Sequence, residues 1–120
     1  MSLQTPYYLI EEEKLIRNLE RILSVAEGAG VEIILAFKAF ATWKAFPVFR
    51  NYINSATASS LNEVKLCFEE MQAKPHTYCV AYEDHTFDEI VEKSSHLTFN
   101  SSNSEVKERS SACATSTYSF

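Results

Sequence analysis

Lys38 closes a short apolar run, Val31-Glu-Ile-Ile-Leu-Ala-Phe37, and is followed by Ala39 and Phe40. A strand that delivers one lysine at its C-terminal end puts an amine where parallel βα arrays carry out their chemistry. Beside apolar strand residues the charged ammonium loses part of its advantage, and the neutral amine is a nucleophile that condenses with an aldehyde or ketone to an imine. The same residues allow a plainer role, with the lysine stem lying over Phe37 and Phe40 and its charge in water. A second cluster, Thr57-Ala-Ser-Ser60, supplies hydroxyls on small residues that let a flat ligand come close. Ser60-Leu-Asn-Glu63 is also a capping box, in which Glu63 reaches back to Ser60 at a helix start. Alternatively, Glu63 directs its carboxylate into the pocket, where a negative charge would hold a protonated imine.

Tyr82 and Asn100 end two further strand-like segments and so would share a rim with Lys38 and Thr57. Tyr82 reads more simply as a strand-end aromatic, and Asn100-Ser101 as either a ligand contact or the start of a turn. His76, His85 and His96 fall at strand starts or in a loop, away from that rim, and read as non-catalytic. Glu69-Glu70 reads as a solvated helix face.

The elements that must position these groups alternate. Thr5–Ile10 is a β-rich opening segment. From Glu11 the pattern is helical: Leu15, Leu19, Ile22 and Ala26 share a face, Ile16 and Leu23 widen it, and Gly28 and Gly30 suit its end. A strand over Val31–Phe37 follows. A second amphipathic segment runs from Thr42 to Tyr52, with Trp43, Phe46, Phe49 and Ile53 inward and Pro47 setting its first turn apart. Ser55–Ala58 is then a strand, Ser60–Met71 a helix ended by Lys74-Pro75, His76–Tyr82 a strand, Thr86–Lys93 a helix and His96–Asn100 a strand. Strands spaced by helices at roughly 20-residue intervals indicate parallel βα units, of a (β/α)8 barrel or a doubly wound sheet. Residues 1–100 carry this pattern. Residues 101–120 are rich in Ser and Thr without apolar periodicity and read as a disordered or out-of-frame tail. Four βα strands leave an open edge and an uncovered face, so the chain is expected to be a piece of something longer.

Bulk properties narrow the function. With 11 basic against 16 acidic residues, the net charge of −5 disfavours nucleic acid as a partner. No apolar stretch approaches the ~18 residues that would span a bilayer, and the N-terminus has neither the basic start nor the apolar run of a signal peptide. Cys67, Cys79 and Cys113 lack metal-ligand spacing and read as reduced thiols of a cytoplasmic protein.

Taken in order, Thr5-Pro-Tyr-Tyr-Leu-Ile, Leu35-Ala-Phe-Lys-Ala-Phe, Thr57-Ala-Ser-Ser-Leu-Asn-Glu63, the His76–Tyr82 strand and Phe99-Asn-Ser101 resemble the carboxynorspermidine (carboxyspermidine) decarboxylases. These are pyridoxal-phosphate enzymes of the alanine-racemase-like group, alongside the decarboxylases of diaminopimelate, ornithine and arginine. The resemblance covers about residues 4 to 102. Lys-Ala-Phe, in place of the Lys-Ala-Asn of related enzymes, favours the carboxynorspermidine branch, as does Thr-Ala-Ser-Ser followed by Glu63. It implies an α/β fold, the first βα units of a partial (β/α)8 TIM barrel without the later strands and the C-terminal β-domain. It further implies that Lys38 holds pyridoxal 5'-phosphate, that Thr57, Ser59 and Ser60 lie on the cofactor side of the next strand, and that Glu63 is close to both. The substrate would be a small carboxylated polyamine, and the intact parent a homodimer. The ring-stacking residue, the phosphate-gripping glycine loop and the acid on the pyridine nitrogen fall outside the matched segments, so the chain alone is expected to be inactive. The tail after Ser101 matches nothing in the family, which suggests a frameshift or premature end. Other readings are a diaminopimelate-type decarboxylase, an amino-acid racemase, or a non-catalytic fragment that binds a partner through its open edge.

Overall fold

The computed structural model describes residues 4–100. Ser101 and the Ser/Thr-rich tail, Cys113 included, lie outside the described residues. The first helix, α1, spans Glu12–Ala29. Glu12 and Glu13 complement the positive end of its dipole, and Leu19 and Ala26 are its buried residues. Gly30 ends it in the left-handed region (φ 66°), with the Val31 amide returning to the Ala26 carbonyl at 3.0 Å. Only a residue without a Cβ adopts that φ at little cost.

Strand β1 is Leu35–Ala36, followed by a single 3-10 turn at Trp43–Ala45 and a one-turn helix, α2, at Phe46–Phe49. Pro47 sits in the first turn of α2, where its missing N–H costs no helical bond. Strand β2 (Ala56–Ala58) leads into α3 (Leu61–Leu66), which runs on as a π-turn over Cys67–Met71. Strand β3 (His76–Tyr78), helix α4 (Asp84–Lys93) and strand β4 (His96–Thr98) complete the described chain.

The sheet has the order β1-β2-β3-β4 and every pair is parallel, as the alternation of strands and helices requires. In parallel ladders register partners project to the same side. The pairs Ala36–Thr57, Thr57–His76 and His76–His96 therefore share one face, together with Tyr78–Thr98. The other face carries Leu35, Phe37, Ala56, Ala58 and Thr77, and the helices pack there. Leu19, Phe37, Phe46, Phe49, Ile53, Ala56, Cys67 and Met71 form one buried cluster. Ala58, Val64, Cys79, Tyr82, Phe87 and Ile90 form a second. Alanines at 0 % exposure in the central strand let the helix layer approach closely. On the opposite face Tyr78, His96 and Thr98 remain exposed.

Several expectations are corrected. The strands are shorter than the hydrophobic runs that predicted them: Val31–Ile34, Cys79–Tyr82 and Phe99–Asn100 lie outside the ladder. Residues 4–10 form no strand, and Tyr7 to Ile10 are exposed. Trp43, expected inward, is 48 % exposed, because the 3-10 turn rotates it off the face that buries Phe46 and Phe49. His85 lies in the first turn of α4 rather than in a loop.

Candidate active site

Parallel order puts the C-terminal ends of all four strands on one rim, and the candidate residues Lys38, Ser59 and Ser60 follow those ends in sequence. Lys38 is two residues beyond Ala36. The Phe37 amide still reaches the Thr57 carbonyl (3.5 Å), and the Ala36 carbonyl then accepts from both Ala39 and Phe40 (2.9 and 3.0 Å). Lys38 therefore sits in a tight turn. Its flanking rings are fixed in the helix layer: Phe37 stacks on Phe46 with centroids 5.2 Å apart, and Phe40 meets Phe49 at 4.9 Å. Phe37 is buried, so it is no platform for the lysine stem. Lys38 itself is exposed and has no hydrogen-bond or ion-pair partner among the described residues.

Thr57 lies in β2 beside Ala36, half-buried on the face away from the helices. Ser59 and Ser60 follow at the rim, both exposed. Ser60 has an extended backbone (φ −158°, ψ 163°), and its hydroxyl accepts from the Glu63 amide at 3.3 Å, as an N-cap does. The Glu63 carboxylate accepts from the Ser59 amide at 2.6 Å, one residue earlier than the capping-box pattern predicts. One of its carboxylate oxygens is thus engaged by backbone.

A cleft of about 450 Å³ opens between the β2–α3 and β3–α4 loops, lined by Ser59, Ser60, Asn62, Val80, Glu83 and Thr86 among others. Neither Lys38 nor Thr57 lines it. Tyr82 belongs to the framework beneath this cleft. Its buried hydroxyl donates toward the Thr98 and Thr77 carbonyls (2.9 and 3.2 Å) and accepts from the Cys79 amide (3.4 Å). Its ring lies against Phe87 and Phe99. The expectation of Tyr82 on a strand end is corrected, since β3 stops at Tyr78 and the phenol ties β3 to β4 from the helix side. Asn100 does reach the rim, where its amide donates to the Val80 carbonyl at 2.7 Å.

His76 and His96 begin β3 and β4, at the end opposite Lys38 as expected. Sequence reading missed that their rings stack at 4.2 Å, a contact that only the β3–β4 register reveals. Burial, and then the charge of His96, hold the His76 pKa below its usual value, with Glu32 acting in the opposite sense. Among the described residues no group of three or more His, Cys, Asp and Glu could hold a metal ion.

Chemically the rim offers an amine free of competing partners among the described residues, held between two anchored phenylalanines, with Thr57 in the neighbouring strand and Ser59 just beyond the end of that strand. This donor set suits an aromatic aldehyde such as pyridoxal phosphate. The lysine can bond the carbonyl carbon, and short hydroxyl side chains leave room beside a planar ring.

No protein-family model matches the chain. A carboxynorspermidine/carboxyspermidine decarboxylase of Herminiimonas arsenicoxydans is 43 % identical over 99 residues, which are 82 % of this chain and 27 % of that protein. The enzyme of the same name from Campylobacter jejuni subsp. jejuni is 39 % identical over 83 % of this chain and 26 % of its own length. A carboxyaminopropylagmatine decarboxylase of Synechocystis is 38 % identical, with the same coverage of 83 % and 26 %. The crystal structure of Campylobacter jejuni carboxynorspermidine decarboxylase in complex with norspermidine superposes with a TM-score of 0.86 at 38 % identity, covering 90 % of this chain and 29 % of that one. The chain therefore spans about a quarter of the length of the curated relatives it matches. Over that stretch its sequence and its parallel α/β fold make it a relative of the carboxynorspermidine/carboxyspermidine decarboxylases, the family its motifs resemble.

Proposed function

We propose that this chain contributes the lysine-bearing strands of a pyridoxal-phosphate-dependent carboxy-lyase acting on carboxynorspermidine or carboxyspermidine in polyamine biosynthesis. The α-carboxylate leaves as carbon dioxide, a proton takes its place on the α-carbon, and norspermidine or spermidine results. The observation that carries this reading is Lys38, an unpartnered amine in the turn after β1, on the rim it shares with Thr57 and Ser59. The names of the relatives and the norspermidine in the neighbouring crystal structure support the substrate class.

When bound, pyridoxal phosphate supplies an electron sink for the pair left on the α-carbon. Lys38 would hold its carbonyl carbon covalently and give it up to the substrate amine. The Lys38 amine would then be free to carry a proton at the same rim. Thr57 and Ser59 would contact the cofactor from the adjoining strand, and Ser60 and Glu63 would shape the loop beside it. The four strands read as the first βα units of a (β/α)8 barrel whose interior is the face bearing Thr57, Tyr78 and His96. With that face open to water, the 120 residues by themselves are proposed to lack turnover, since an electrostatic site gains its strength when water is excluded. The intact parent is proposed to be a cytoplasmic homodimer.

The Synechocystis relative favours a second reading of the substrate. Its identity to this chain, 38 %, is nearly that of the Campylobacter enzyme at 39 %, so a carboxyaminopropylagmatine would serve as well. Both readings share the bond broken and differ in the distal arm. The test is the visible absorption of the purified chain titrated with pyridoxal phosphate, with Lys38→Ala alongside. A saturable band that is absent in the variant is expected; equal spectra for the two proteins would refute the assignment of Lys38. Incubation of the same chain with carboxynorspermidine and cofactor is expected to release no carbon dioxide.

A further inference from the structure

We infer that Glu63 is a positioning residue, which fixes the Ser59–Ser60 bend at the rim by holding the Ser59 amide and does not itself contact the cofactor; the inference rests on the proposed reading of Lys38. The link spans the whole junction between strand and helix. At one end Ala58 is fully buried in the sheet, and at the other Val64 is fully buried in the helix layer. Between them the Glu63 carboxylate accepts from the Ser59 amide (2.6 Å), the Ser60 hydroxyl accepts from the Glu63 amide (3.3 Å), and the Ser60 carbonyl accepts from the Val64 amide (3.0 Å). Three bonds over six residues leave the bend little freedom between its two anchors.

The arrangement also sorts the hydroxyls of Thr57-Ala-Ser-Ser60 by use. The Ser60 hydroxyl is taken as the helix cap. The Thr57 and Ser59 hydroxyls make no hydrogen bond among the described residues and are the ones left for a ligand. The Ser59 amide is committed to Glu63, so it is not a donor for a bound anion. Glu63 therefore sets where the Ser59 hydroxyl stands relative to Lys38, and its requirement is for an acceptor oxygen rather than a negative charge.

The discriminating experiment uses the full 120-residue chain as wild type, Glu63→Gln and Glu63→Ala, with two readouts: amide exchange at Ser59 and the affinity of the Lys38-dependent adduct with pyridoxal phosphate. Glu63→Gln keeps an acceptor, so Ser59 protection and cofactor affinity are expected to stay within about threefold of wild type. Glu63→Ala removes it, and Ser59 exchange is expected to rise on the order of tenfold while affinity falls about three- to tenfold, the modest size reflecting an exposed bond. Glu63→Gln losing more than about tenfold in affinity with Ser59 still protected would mean the charge reads the cofactor directly, and would overturn the inference. Unchanged Ser59 exchange in Glu63→Ala would overturn it too. Should Glu63→Ala fail to fold, Glu63→Gln decides alone, because it removes the charge and keeps the bond. Absence of a Lys38-dependent adduct in wild type would instead sink the reading of Lys38 and the cofactor half of this inference with it, while Ser59 exchange still decides the loop half.

Discussion

Lys38 and Tyr82 show how differently single residues declare themselves. The position of Lys38 was legible because a lysine that ends an apolar run is unusual, and the structure puts it in the turn that follows β1. Tyr82 also looked like a rim residue, but its hydroxyl is bound to carbonyls 5 and 16 residues away in sequence, which no local pattern encodes. Tyr82→Phe keeps the packing on Phe87 and Phe99 and removes that tie together with the acceptor of the Cys79 amide. We expect a loss of about 1–2 kcal/mol in urea unfolding, typical of a buried hydroxyl bonded to backbone; no change would mean the tie contributes nothing. Glu63 was half legible: the capping box was visible, the choice of the Ser59 amide over that of Ser60 was not. Cys67, within the helix expected over Ser60–Met71, is fully buried, which pushes its thiol up to about 12. A thiol-directed alkylating reagent at pH 8 is therefore expected to spare Cys67 until denaturant is added, as peptide mass mapping would show.

At the scale of elements, hydrophobic runs located all four strands and overstated their lengths. Val31–Phe37 yields only Leu35–Ala36 because pairing, not propensity, defines a strand, and β1 has a single neighbour among the described residues. His76–Tyr82 stops at Tyr78 for a related reason, since beyond it the Cys79 amide turns to the Tyr82 hydroxyl instead of a ladder carbonyl. Helix ends were clearer, because a glycine after an amphipathic run signals the left-handed cap directly. Gly30 has φ 66° and open space where a Cβ would stand, so Gly30→Ala meets backbone strain without a steric clash. That substitution is expected to cost about 1 kcal/mol or somewhat more, read as a lower melting temperature with α1 otherwise intact by circular dichroism. A rise in stability would contradict the cap.

The described residues form a sheet dressed with helices on one side, and its two ends carry different sets of residues. One end carries the Lys38 rim; the other carries the stacked His76 and His96 rings, with Glu32 acting on His76 and the Ser95 hydroxyl 3.2 Å from the His96 Nδ1. Because the folded pKa of His76 lies below its unfolded value near 6.5, the folded chain binds fewer protons than the unfolded one in that region. Stability is accordingly full above about pH 6.5 and falls as pH drops through that value toward the lower folded pKa. The melting temperature is expected to decline from pH 7.5 to pH 5, and His76→Gln to flatten the decline; parallel curves for the two proteins would place the acid sensitivity elsewhere.

The most direct measurement on the proposed role of Lys38 is where pyridoxal phosphate attaches to the chain. The chain has seven lysines, and surface amines react with aldehydes without a site. Borohydride reduction of the cofactor-treated chain at limiting cofactor, followed by peptide mass mapping, separates the two cases. With Lys38 as the attachment point, the reduced adduct is expected to concentrate on Lys38 and to be lost from Lys38→Ala without transfer to a neighbour. Label spread evenly over Lys14, Lys44, Lys65, Lys74, Lys93 and Lys107, with Lys38 no more reactive than the rest, would refute the assignment of Lys38.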